Sequence, residues 1–154
     1  MTHHEQVLEA RSIIGILPQR PPAVLIDSVV EIKPGQRILA TKCISISDPA
    51  MRGHFPNMPI YPATLMIEAM IQACTLLAYA TEQYDPAEVA VALLGVHKSK
   101  FRRAVLPGDV LDIQADLAQR RSNVWRFDVT VHIDDFPVAE AGLAISILNR
   151  EDMF

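Results

Sequence analysis

The chain has 154 residues, enough for one domain with one buried core and too few for two. Half of them are apolar and 21% charged, and the formal net charge of -4 excludes a general nucleic-acid binder and confines any basic partner surface to a local patch. Cys43 and Cys74 have no CxxC spacing and sit among neighbours such as Ile44 and Ala73, so they read as reduced, packed thiols of a cytoplasmic protein.

The opening MTHHEQVLEARS lacks the basic region, apolar run and small-residue cleavage site of a signal peptide. Val7, Leu8, Ile13 and Ile14 recur at helical spacing, predicting a short helix over 5–16 that Gly15 and Pro18 stop. Runs rich in Val, Ile and Thr at 23–32 and 37–47, with Pro34-Gly35 between them, predict a first antiparallel pair. Residues 48–62 hold four prolines, which remove backbone donors and fix the shape of a surface-reaching loop. Pro62 suits the first turn of a long helix running to about residue 83.

Four β-rich runs follow at 88–105, 110–121, 124–133 and 138–148, with breaks short enough to make neighbours antiparallel. A short helix, two strands, a long apolar helix and four strands predict an α+β domain over 1–154 in which the sheet wraps the long helix. That helix is nearly long and apolar enough to span a bilayer, but Glu68 lies near its middle and no basic cluster flanks it. A buried helix with no membrane partner is the expectation.

The polar residues of the long helix, Thr64, Glu68, Gln72, Thr75 and Tyr79, fall on one stripe. Two readings stand: the stripe is the wet face of the helix, or it carries a catalytic carboxylate whose desolvation suits it to proton transfer near neutral pH. His54 favours the second, because it lies in the proline-fixed segment Gly53-His54-Phe55-Pro56, whereas His3 and His4 are near the terminus and His97 and His132 stand singly within strands. No HExxH pair, Cys/His quartet or DxDxDG loop points to a metal, and no GxSxG elbow or glycine-rich phosphate loop is present.

The segment Gly53-His54-Phe55-Pro56-Asn57-Met58-Pro59-Ile60-Tyr61-Pro62-Ala63-Thr64-Leu65, followed by Glu68-Ala69-Met70 and Gln72-Ala73, resembles the signature of the FabZ-type (3R)-hydroxyacyl-acyl-carrier-protein dehydratases. The interval from His54 to Glu68 matches that family's catalytic spacing, and the similarity extends to Leu17-Pro18 with Arg20, Leu25-Ile26-Asp27, Lys100-Phe101-Arg102-Arg103 and Pro107-Gly108-Asp109. The resemblance implies a hotdog fold, a homodimer or trimer of dimers, and sites built from His54 of one subunit and Glu68 of the other. It implies that His54 takes the proton α to the thioester, that Glu68 protonates the leaving 3-hydroxyl, and that the Ala63 backbone N–H polarises the carbonyl, with no cofactor and no metal. Gly53, Phe55, Gln72, Phe101 and Gln19 are the expected substrate-binding residues, Phe101 lining or gating an acyl tunnel.

Two positions depart from the family pattern: Gln19 stands where a histidine is usual and cannot titrate, and Ala63 stands where a glycine is usual and adds a methyl. These departures leave open ordinary fatty-acid synthesis and a specialised polyketide or polyene role. The basic run Lys98, Lys100, Arg102 and Arg103 reads either as a solvated strand face or as a docking patch for the acidic acyl carrier protein. A hotdog acyl thioesterase and a catalytically weak partner subunit of a related dehydratase are the competing functions.

Overall fold

The computed structural model describes residues 7–153. In chain order they form α1 (Ala10–Ile16), β1 (Ser28–Lys33), β2 (Arg37–Cys43), a 3-10 turn (Pro49–Met51), α2 (Ala63–Glu82), β3 (Val89–Phe101), β4 (Val110–Arg121), β5 (Val124–Ile133), β6 (Phe136–Asn149) and a final 3-10 turn (Arg150–Met153). The six strands make one antiparallel sheet in the order β1-β2-β4-β5-β6-β3. This is the predicted α+β hotdog architecture, a long helix wrapped by a sheet and preceded by a short helix.

Alternation along the central strands explains the wrapping. On β5, Trp125, Phe127, Val129, Val131 and Ile133 are buried while Arg126 and Asp128 are exposed, so one face points at α2 and the other outward. Facing them, α2 buries Met66, Ala69, Met70, Ala73, Leu76 and Leu77. Pro62 sets the start of α2 and Gln83, at φ 52, closes it in the left-handed region. The helix has the length and hydropathy of a membrane span, yet it is mostly buried inside the domain, as the core helix of a wrapped sheet requires.

Several boundaries differ from expectation. The opening helix begins at Ala10 rather than at residue 5, because the backbones of Val7 and Leu8 are spent on Val29 of β1. The first strand starts at Ser28, five residues later than predicted, since Leu25 N–H donates to Gln72 Oε1 and Ala23 C=O accepts from Gln72 Nε2 instead of pairing in a ladder. Strand β2 stops at Cys43 rather than 47, β3 stops at Phe101 rather than 105, and β6 starts earlier, at Phe136. Pro137 is tolerated within β6 because it sits opposite His132 at a register shift. Cys74 is buried and free, but Cys43 is exposed: the alternation of β2 turns Lys42 inward and Cys43 outward. His3 and His4 lie outside the described residues.

Candidate active site

The proline-rich loop and the start of α2 build one half of the site. Ile60 N–H donates to His54 C=O at 2.8 Å, and Phe55 and Met58 exchange two backbone bonds of 3.0 Å, so the loop closes on itself around the His54 side chain. The imidazole Nδ1 lies 2.8 Å from Ile60 C=O. A carbonyl can only accept, so Nδ1 carries a hydrogen, and in the neutral ring the lone pair is the one on Nε2. Phe55 stacks on the imidazole, ring centroids 4.3 Å apart.

His54 opens into a cleft of about 350 Å³, lined also by Tyr61, Ala63, Met66, Phe101 and Arg103. Ala63 is the first residue of α2, and its N–H has no acceptor within the helix; it therefore presents a partial positive charge to the cleft. Tyr61 is buried, its hydroxyl finds no partner among the described residues, and burial pushes the phenol's pKa upward, so it stays neutral.

Glu68 belongs to a different cluster. Its Oε1 accepts from Gln72 Nε2 at 2.8 Å and from Gln19 Nε2 at 3.2 Å, while Oε2 takes no hydrogen bond from the described residues. The carboxylate is half-buried rather than fully enclosed. It lies five residues beyond Ala63, which on an α-helix is about 7.5 Å along the axis and about 140° around it. The residues that line the His54 cleft do not include Glu68, despite the suggestive interval in the sequence. The stripe is not a wet face: Gln72, Thr75 and Tyr79 are buried, and the Thr75 hydroxyl donates to Ile71 C=O at 2.9 Å.

Of the remaining expected residues, Phe101 lines the His54 cleft and is 42% exposed. Gly53 is exposed, and a Cβ there would meet nothing within 4 Å, so no steric demand explains this glycine. Arg102 and Arg103 edge the cleft, and the basic run is partly neutralised: Glu140 pairs with Lys100 at 3.8 Å and Arg102 at 3.2 Å, and Asp109 with Arg103 at 3.4 Å. Lys98 stands apart, beside His97 in a larger groove of about 770 Å³ on the outer sheet face, where Arg126, Asp128 and Glu140 mix both signs of charge. Sequence reasoning missed the Ile60 carbonyl, which no side-chain pattern marks. It also missed the carboxylates of Asp109 and Glu140, although Asp109 stands in the Pro107-Gly108-Asp109 turn.

Comparison with known proteins places the chain in a family. The model of the FabA-like domain family matches residues 17–142. Relatives named 3-hydroxyacyl-[acyl-carrier-protein] dehydratase FabZ include that of Sorangium cellulosum, 39% identical and spanning 94% of this chain and 93% of the relative. That of Myxococcus xanthus is 36% identical, with 94% of each chain covered. Among solved structures, a chain of the dehydratase heterocomplex ApeI:P from Xenorhabdus doucetiae superposes with a TM-score of 0.80 at 19% identity, over 92% of this chain and 93% of that one. A hypothetical thioesterase from Streptococcus pneumoniae, bound to coenzyme A, superposes with a TM-score of 0.61 at 11% identity, over 79% and 84%; at that distance the likeness is one of fold.

Proposed function

The chain belongs to the FabZ family of 3-hydroxyacyl-[acyl-carrier-protein] dehydratases, and from that premise we propose how its residues carry the reaction and on which assembly. The activity is removal of water from a 3-hydroxyacyl thioester to give the 2-enoyl thioester, and the thioesterase alternative is not favoured.

His54 is the base. Its Nε2 takes the proton from C2, held in line by the Nδ1–H bond to Ile60. The electrons of the C2–H bond become the C2–C3 double bond, the C3–O bond breaks, and Glu68 gives its proton to the departing hydroxyl, which leaves as water. The Ala63 N–H takes the thioester oxygen, on which negative charge develops. The acyl chain runs past Phe101 and Met66.

The observation that carries the reading is that the cleft into which His54 opens is lined without Glu68, which sits instead with Gln19 and Gln72. A second copy of the chain supplies the missing half. Strand β3 offers the seam: it is an edge of the sheet, 13 residues long, and it exposes Leu93 at 47%, Leu94 at 55% and Val96 at 39%. A long apolar edge left bare is an aggregation hazard, and an isologous partner strand removes it. The opposite edge, β1, is six residues long, bulged, and covered at Val29 by Leu8. We assign the working unit as a homodimer through β3, each site combining His54 of one chain with Glu68 of the other. The carrier protein docks at the basic lip of the cleft, Arg102 and Arg103, together with Lys100 just before them on β3, where its acidic surface displaces the internal pairs to Glu140 and Asp109. Lys98, on the outer groove, has no part in that contact.

Incubation of the protein with 3-hydroxyacyl carrier-protein thioesters of graded length, followed by mass spectrometry, tests the reading. Loss of one water with the thioester intact is the expected result, and release of free carrier thiol without an enoyl product overturns it.

A further inference from the structure

Gln19 does something that the reaction as drawn does not use. Its backbone is clamped: Leu17 is buried in the core, and the Arg20 guanidinium donates to the carbonyls of Leu17 and Gln19 at 2.8 Å each and of Ile14 at 3.2 Å. From this fixed turn the side chain reaches Glu68, donating through Nε2 to Oε1 at 3.2 Å. Its own Oε1 is buried without a partner among the described residues. A buried acceptor left without a donor is normally avoided, and turning the amide over would set its oxygen against the carboxylate oxygen. The bond to Glu68 is therefore what decides how this side chain sits.

Gln72 is held differently. Its amide accepts from Leu25 N–H at 2.8 Å and donates to Ala23 C=O at 2.8 Å, so its remaining hydrogen must point at Glu68 Oε1, 2.8 Å away. Two amide donors thus converge on one oxygen of the carboxyl group, and the other oxygen is left to the substrate.

We propose that Gln19 and Gln72 are a positioning pair that commits Glu68 to a single working oxygen, Oε2, with Gln19 the member whose loss is read directly in turnover. The proposal rests on the dehydratase reading above. In the acid form of Glu68, Oε1 keeps accepting from both amides and the proton resides on Oε2. As the C2–H electron pair forms the double bond and C3–O breaks, that proton moves from Oε2 to the hydroxyl oxygen, and the carboxylate left behind is already solvated on Oε1. Neither amide titrates, so Glu68 exchanges its proton with substrate and product water rather than with its own neighbours.

The test is steady-state turnover of a short 3-hydroxyacyl pantetheine thioester by Gln19→Met and Gln19→His proteins. Methionine has the reach of glutamine and no donor. Gln19→Met should lower kcat by about ten- to a hundredfold, the scale for a misplaced catalytic group, with KM held within about twofold and the melting temperature unchanged. Gln19→His restores one N–H donor, so it should recover much of kcat at pH 8 and lose it below about pH 6.5, where an imidazolium would hold Glu68 ionised. Protonation of the base His54 is common to both proteins, so the quantity to read is the ratio of Gln19→His to wild-type kcat, which should fall over that range. Wild-type kcat in Gln19→Met, a parallel loss of KM, kcat and melting temperature, or no recovery by Gln19→His at pH 8 would each overturn the proposal. A wild-type protein that dehydrates no 3-hydroxyacyl thioester at any pH would sink the parent reading instead, and the proposal with it.

Discussion

Replacing Gln72 by leucine tests the polar cluster beneath Glu68 from the inside. Gln72 is fully buried on α2 and makes three hydrogen bonds of 2.8 Å, to Leu25 N–H, Ala23 C=O and Glu68 Oε1. Gln72→Leu leaves the buried Leu25 N–H without an acceptor, at a cost of ~1–3 kcal/mol, and the part-buried Ala23 carbonyl without its donor, at a smaller cost. The extra apolar surface recovers about 1 kcal/mol. The net destabilisation is about 1–3 kcal/mol, which for a domain of this size lowers Tm by about 2–12 °C. Thermal melts by circular dichroism measure it, and kcat should fall together with stability because Glu68 loses its firmest donor. A Gln72→Leu protein that melts with the wild type would refute the reasoning, since those backbone groups would then have found other partners at no cost.

Substituting the proposed proton-transfer pair singly, His54→Ala or Glu68→Gln, should reduce dehydration at least about 10²-fold with the circular dichroism spectrum unchanged; a mutant retaining most of its rate removes that residue from the mechanism. Reversing Lys100 and Arg103 to glutamate should slow turnover of carrier-bound substrate, in a salt-dependent way for the wild type, while sparing a short pantetheine thioester; equal losses on both substrates would assign the basic lip a structural role. Burial alone would raise the Asp116 pKa, but hydrogen bonds from Gln114 and Arg37 and the Arg37 charge together hold it below the usual carboxylate value. That contribution to stability is present above the unfolded-state value and lost as pH falls through the folded one. Arg37→Met should therefore lower Tm at pH 7 and approach the wild type as pH falls through the lowered folded value of Asp116, and a difference that stays constant down to acid pH would contradict the sign.

The long helix was legible because one chemical fact covered its whole length: from Ala63 to Ala80 almost every residue is apolar, and Pro62 marks its start. The β-rich runs were legible for the same reason, as alternation on β5 shows. Strand ends were not, because what ends a strand here is partner chemistry. Gln72 draws away the backbone of Ala23 and Leu25, and Asp134 and Asp135, at φ 48 and 66, close the β5–β6 hairpin and let Phe136 and Pro137 join β6. Cys43 was misjudged from its neighbours in sequence, since exposure on a strand follows the parity of the residue. The interval from His54 to Glu68 suggested a pair but not where each side chain lies, the first in the loop-side cleft and the second among Gln19 and Gln72. Gln19 entered as a departure from a family pattern; its bond to Glu68 could not be read from any spacing.

The central claim, that each site takes His54 from one chain and Glu68 from another, is tested most directly by mixing two inactive proteins. His54→Ala and Glu68→Gln chains, unfolded together and refolded, should pair at random, so about half of the dimers are mixed. Every mixed dimer has one site that has lost both groups and one that has regained both. Dehydration by the mixture should then recover to about one quarter of the wild-type rate, half the dimers each carrying one working site of two. If both groups came from the same chain, every site would still lack one of them. A mixture shown to exchange subunits that stays as inactive as its parents contradicts the shared site.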